Sequence, residues 1–174
     1  MTFSIVPVFS GLDLEQFVTF PFSLYATSPF WVPPLVSDDR LLLSPVLHPF
    51  WNTAKRRLFL AKSDGRIIGR IAAIIDTAYN QYVQERCGAF GFFECIDDEA
   101  VAHALLKQAA NWLTQEGMDY MRGPVNPSTN YTCGLLVDGF TTRPATMMPW
   151  NPPYYHRFFE SWGLHKEEDL FAYR

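Results

Sequence analysis

The chain has 174 residues, 48% of them hydrophobic and 18% charged, and a formal net charge of −4. That length fits one domain with a core of its own, and the composition excludes a disordered chain. The acidic balance, with no basic run longer than Lys55-Arg56-Arg57, excludes nucleic acid as an expected partner.

Aromatic residues make up 16% of the chain, which suits a large core, an apolar cleft or an interface. Cys87, Cys95 and Cys133 are odd in number and form no Cys-x-x-Cys pair, and the start MTFSIVPVFSG lacks the basic and apolar regions of a secretion signal. A reduced, cytoplasmic protein is the expectation, and the Asn130-Tyr131-Thr132 sequon then carries no meaning. No membrane span is expected, because the most apolar window, IIGRIAAIID, is broken by Arg70 and bounded by Asp76. His48, His103, His156 and His165 show no ligand spacing, so no metal is expected.

In chain order, residues 3–9 read as a first strand, at a sheet edge because of Pro7. Asp13 stands as the cap of a helix over 14–26, where Phe17, Phe20 and Leu24 recur at helical spacing and Pro21 should kink or shorten it. The Pro- and aromatic-rich stretch 27–52 is too apolar for a linker; it reads as a cover over the core or the wall of a groove, with a short helix near 37–43. Leu58 to Ala61 and Ile67 to Asp76 read as strands joined by Ser63-Asp64-Gly65, an Asp-Gly hairpin turn between apolar runs.

Residues 87–96 are a third apolar strand, in which Gly88 and Gly91 mark a bulge or a close backbone approach. Asp97 then stands as an N-cap, with Asp98 and Glu99 in the first turn of a helix that Gly117 closes. Val101, Leu105, Leu106, Ala109, Trp112 and Leu113 share one face of it. A strand over 118–125, a polar loop NPSTNYTCG, a small hairpin over 135–142, a helix after Pro152-Pro153 and a last strand KEEDLFAYR complete the chain.

This order of elements, closed by Asn151-Pro152-Pro153-Tyr154-Tyr155 and by Phe159-Glu160-Ser161-Trp162-Gly163-Leu164, resembles the GNAT acyltransferase superfamily. The resemblance implies an α/β (α+β) fold, with a mixed, mostly antiparallel sheet of about six strands flanked by helices. DGRIIGRIAAIID, GAFGFFE and NPPYY further resemble longer bacterial GNAT-like proteins with two such halves, some of them N-acyltransferases of long-chain amino alcohols. In that resemblance, residues 1–174 are one domain, the first half, and lack a final strand. The exposed edge would be covered by a second GNAT-like half or a homodimer mate.

The family's pyrophosphate loop, Arg/Gln-x-x-Gly-x-Gly/Ala, would fall on Asp97, Ala100 and Ala102, and only Ala102 fits it. Ala100 lacks glycine's freedom of approach, and three acids at the turn would repel a phosphate. The favoured reading of the same acids is an internal helix cap. Glu94 falls where several family members hold a general base, in an apolar setting that would raise its pKa; the alternative is a structural ion pair with Arg70, Arg86 or Arg122. The family's general-acid tyrosine falls on Phe159, so Tyr154 or Tyr155, one turn earlier, would have to replace it, or else simply pack at the helix start. Asn126, Ser128, Asn130 and Cys133 fall where the fold splays two strands to admit an acyl thioester, and could bind a polar substrate group or serve turn chemistry alone.

These readings give three functional expectations. The first is a non-catalytic or acceptor-shaping half of an N-acyltransferase, with a degenerate loop and no tightly bound cofactor. The second is an active enzyme using acyl-CoA or another acyl thioester on an amine, with Glu94 and Tyr155 as its catalytic groups. The third is a non-enzymatic ligand-binding or interaction module.

Overall fold

A computed structural model of the protein describes residues 2–171. Five strands form one sheet in chain order: β1 (Ser4–Pro7), β2 (Ala54–Ser63), β3 (Arg66–Asp76), β4 (Cys87–Cys95) and β5 (Tyr120–Arg122). The first four are mutually antiparallel, and β5 is parallel to β4. The β2–β3 hairpin turns at Asp64 and Gly65, both in the left-handed region (φ 49° and 76°), as a tight Asp-Gly turn requires. The parallel step follows from the helix α4 (Glu99–Gln115), which carries the chain from the end of β4 back to its start.

Alternation along β3 builds two cores. Ile71, Ala73 and Ile75 face α4 and α5 (Tyr154–Trp162), where Val101, Leu105, Leu106, Ala109 and Phe158 are buried. Burying each such leucine contributes about 1.5–3 kcal/mol. Ala72 and Ile74 face the other way, onto α1 (Gly11–Leu24), α2 (Val36–Leu42) and a 3₁₀ turn at Pro49–Asn52, through Phe17, Val18, Leu43 and Trp51.

Several boundaries differ from expectation for local reasons. Ser10, not Asp13, caps α1: Ser10 Oγ accepts from the Asp13 N–H (3.1 Å), and Asp13 answers as the acid of a capping box. Pro21 does not end α1. Its missing N–H leaves the Phe17 carbonyl free, and Arg70 Nη1 donates to that carbonyl at 2.7 Å. Asp98, not Asp97, caps α4. An unanticipated helix, α3 (Thr77–Val83), starts because Asp76 Oδ1 accepts from the Tyr79 N–H at 3.0 Å.

β5 is shorter than expected. After it the chain forms a two-stranded sheet of β6 (Val125–Asn126) and β7 (Thr132–Cys133). The hairpin expected over 135–142 does not form. The side-chain amide of Asn151 takes both backbone groups of Leu136, donating to its carbonyl (3.2 Å) and accepting from its N–H (2.7 Å). Nor is there a last strand over 166–171, where Leu170 and Phe171 stay exposed and out of the sheet; 172–174 lie outside the described residues.

Gly91 explains the course of β6. A Cβ there would collide with the Val125 carbonyl, so the backbone of β6 lies directly on β4. The β3–β4 register shifts at this level, Phe92 takes φ 49°, and pairing between β4 and β5 ends at Ala89 opposite Arg122. From Phe92 onward the outer edge of β4 has no strand beside it among the described residues.

Candidate active site

The open edge of β4 is occupied by side chains. The Phe92 N–H donates to Asn126 Oδ1 (2.6 Å), the Cys95 N–H donates to the Tyr155 hydroxyl (2.7 Å), and the Tyr154 hydroxyl donates to the Cys95 carbonyl (2.9 Å). Tyr154 and Tyr155 start α5, which packs on α4 and brings both hydroxyls to the strand. These bonds satisfy backbone groups that would otherwise be buried without partners.

Glu94 sits among them, opposite Arg70 in the strand register. Its Oε2 accepts from the hydroxyls of Tyr155 (2.8 Å) and Tyr25, and the two hydroxyl oxygens lie 3.3 Å apart. Tyr25 is the C-cap residue of α1, so the cluster joins elements from both faces of the sheet. Arg70 Nη2 approaches Glu94 Oε1 at 3.9 Å; its guanidinium lies 5.0 Å over the Phe17 ring, and its Nε is buried without a hydrogen-bond partner among the described residues. Burial pushes the Glu94 carboxyl above its ordinary pKa; Arg70 and the two tyrosines pull in the opposite direction without overcoming it. Burial and the neighbouring Glu94 raise both tyrosines, so they stay protonated and serve as donors. Asp39 on α2, near Arg70, is also raised by burial.

Trp150 and Trp31 pack on Tyr25, with ring centroids 5.0 and 5.1 Å away, and Phe93 packs on Tyr155 at 4.9 Å. A cleft opens here between Glu94, Asn126, Leu135, Trp150 and Tyr155. Trp150 Nε1 is buried beside it with no hydrogen-bond partner among the described residues. The arrangement offers a carboxylate of raised proton affinity, two tyrosine donors and an unused indole donor, set within aromatic walls. It suits the capture of a protonated or proton-donating group.

The N-terminus of α4 is built differently. Asp98 Oδ1 accepts from the Ala100 and Val101 N–H groups (3.0 and 3.3 Å), and the Ala102 N–H donates to the Asp98 carbonyl (3.1 Å). Ala102 is fully buried. Arg157 of α5 pairs with Asp97 (3.1 Å) and lies 3.8 Å from Glu99.

Of the residues singled out in the sequence, Glu94, Tyr155 and Asn126 come together, with Asn126 bonded to the strand itself. Asn130 does not join them: it is exposed, its N–H bonds Ser128 Oγ (3.3 Å), and it lines a separate groove. Cys133 pairs with Val125 across the small sheet. Phe159, at the expected general-acid position, is core. Tyr25 and Trp150 were not anticipated. Tyr25 lies 69 positions from Glu94, and only the stop of α1 hints at its place.

No protein-family model matches the chain. It is similar to the "Bacterial ceramide synthase" of Caulobacter vibrioides, 39% identical over 172 residues, which are 98% of this chain and 45% of that protein. It is also similar to "Protein YghO" of Escherichia coli, 38% identical over 161 residues, 92% of this chain and 41% of that one. The chain thus spans less than half the length of these curated relatives. Among solved structures, a "Tandem GNAT protein from the clavulanic acid biosynthesis pathway" superposes with a TM-score of 0.60 at 13% identity, over 96% of this chain and 45% of that one. The aminoglycoside acetyltransferase AAC(6')-Iy, in complex with a bisubstrate analog, does so with 0.58 at 16% identity, over 100% and 98%.

Proposed function

We propose that this chain, which has the GNAT fold, is the acceptor-shaping half of an N-acyltransferase and leaves the acyl thioester to a second half. One observation carries the reading: the N-terminal amides of α4, where a pyrophosphate would sit, are taken by the Asp98 carboxylate. A phosphate charge about 4 Å from a carboxylate is disfavoured by about 1 kcal/mol in water and about 4 at an effective dielectric near 20; the helix dipole returns about 0.3–1. The residues present therefore do not fit coenzyme A. The strand edge agrees, because Tyr154, Tyr155 and Asn126 fill the backbone groups that an amide-bearing thioester arm would pair with.

The acceptor class is drawn from the Caulobacter relative, whose name describes the N-acylation of a long-chain amino alcohol. Glu94 would receive the amine at the cleft, with Tyr25 and Tyr155 fixing its carboxylate. Calorimetric titration of acetyl-CoA and a long-chain acyl-CoA into this chain tests the reading. No binding is expected, and a dissociation constant between submicromolar and tens of micromolar overturns it.

A second reading, an active N-acyltransferase with Glu94 as general base, is favoured by the raised proton affinity of that buried carboxylate. On that reading Glu94→Gln lowers turnover far more than acceptor affinity, and equal losses in both speak against it.

A further inference from the structure

The cleft at Glu94 keeps few donors for a ligand. The Tyr25 and Tyr155 hydroxyls both donate to Glu94, and the Tyr154 hydroxyl donates to the Cys95 carbonyl. The Asn151 amide is spent on the carbonyls of Leu136 and Pro152. Trp150 is different. Its indole lines the cleft and is half-buried, yet its Nε1 is shut from solvent and has no hydrogen-bond partner among the described residues. An indole N–H can only donate, and a buried donor without an acceptor is costly. The ring meets that of Tyr25 edge to face, at 86°, so one aromatic ring separates this donor from the carboxylate that Tyr25 holds.

Trp150 also stands at the foot of a loop. Residues 137–149 form no helix or strand, and the loop is clasped at its base, where the Asn151 side chain takes both backbone groups of Leu136. Val137, Met147 and Met148 stay exposed on it, so they contribute little burial to hold it down. A long loop closed at its base in this way opens more easily than the sheet behind it.

We propose that Trp150 selects the acceptor: with the amine at Glu94, the indole N–H donates to an oxygen carried close to that amine, and the loop shifts outward at Pro149 to admit it. The proposal rests on the acceptor reading for Glu94 and adds a second point of recognition to it. A plain alkylamine leaves the indole N–H without an acceptor, whereas an amino alcohol supplies one.

The test is titration of the ¹⁵N-labelled chain with 2-aminodecan-1-ol and with decan-2-amine, which differ only in the hydroxyl. The amino alcohol should bind about tenfold tighter. The indole N–H peak that is lost in Trp150→Phe should move downfield with the amino alcohol and stay still with the amine. In Trp150→Phe, which keeps an aromatic ring against Tyr25, the ratio of the two affinities should fall to about one. Glu94→Gln should weaken both compounds alike, since both carry the amine. Equal affinities in the parent chain, an indole peak unmoved by the amino alcohol, or an unchanged ratio in Trp150→Phe would each overturn the role of Trp150 and leave the acceptor reading in place. Failure of both compounds to bind, or parental affinity for both in Glu94→Gln, would overturn the acceptor reading and this inference with it.

Discussion

Glu94 and the run Asp97–Glu99 are neighbours in sequence, at the end of one strand and the start of the next helix, yet they live in different media. Glu94 is enclosed by Arg70, Tyr25 and Tyr155, and its proton affinity is raised by burial. Asp97 and Glu99 are solvated and share Arg157, while Asp98 spends its charge on its own helix. The difference shows that surroundings, rather than the number of acids, decide which carboxylate is available for chemistry. An acid that closes a helix is used up by the fold, and an acid held by hydroxyls in an aromatic cleft keeps its chemistry.

The comparison breaks most strongly at Glu94. Glu94→Ala leaves the Arg70 guanidinium buried and unpaired and two tyrosine hydroxyls without their acceptor, and about 3–5 kcal/mol of stability should be lost in denaturant unfolding. Tyr155→Phe removes the acceptor of the Cys95 N–H and a donor to Glu94, for a loss of about 1–3 kcal/mol. It should also move the Glu94 pKa further upward, which carboxyl carbon NMR would read. On the solvated side, Asp98→Ala removes the α4 cap and should cost about 1 kcal/mol. Arg157→Ala, which breaks two exposed ion pairs and a contact over the Phe158 ring, should cost about 0.2–1 kcal/mol in denaturant unfolding.

The two kinds of carboxylate also give opposite pH slopes. The folded-state pKa of Glu94 lies above its ordinary 4.5. Its contribution is therefore fully present below about 4.5 and is lost as pH rises through the raised value. Asp13, bonded to Ser10 and Lys62, is lowered from 3.8 to about 2, so its contribution is present above 3.8 and is lost as pH falls toward 2. Thermal unfolding across pH should show the decline above 4.5 flattened in Glu94→Gln and kept in Asp13→Asn.

What could be read from the sequence was what short-range chemistry decides. Asp64-Gly65 announced the hairpin, the spacing of Val101, Leu105, Leu106 and Ala109 announced α4, and a lone acid between Phe93 and Cys95 announced Glu94. What could not be read depends on partners far along the chain. α1 continues past Pro21 because Arg70, 53 positions away, takes the carbonyl that proline frees. Asn126 and Asn130 look like one polar loop, but the β6–β7 pairing turns one onto β4 and leaves the other exposed at a separate groove. The hairpin expected over 135–142 gives way to Asn151, whose side-chain amide imitates a strand partner for a single residue.

Gly91 turns this geometry into something that can be sorted by genotype. Any side chain at 91 would have to displace the Val125 carbonyl, and with it the hold of Asn126 on Phe92. Among relatives that align here, an alanine or larger residue at this position would mark a lineage in which β6 runs elsewhere and the flank of β4 is exposed. A glycine is required wherever the crossing persists. One codon would thus divide variants that shut this flank with their own chain from variants that leave it open.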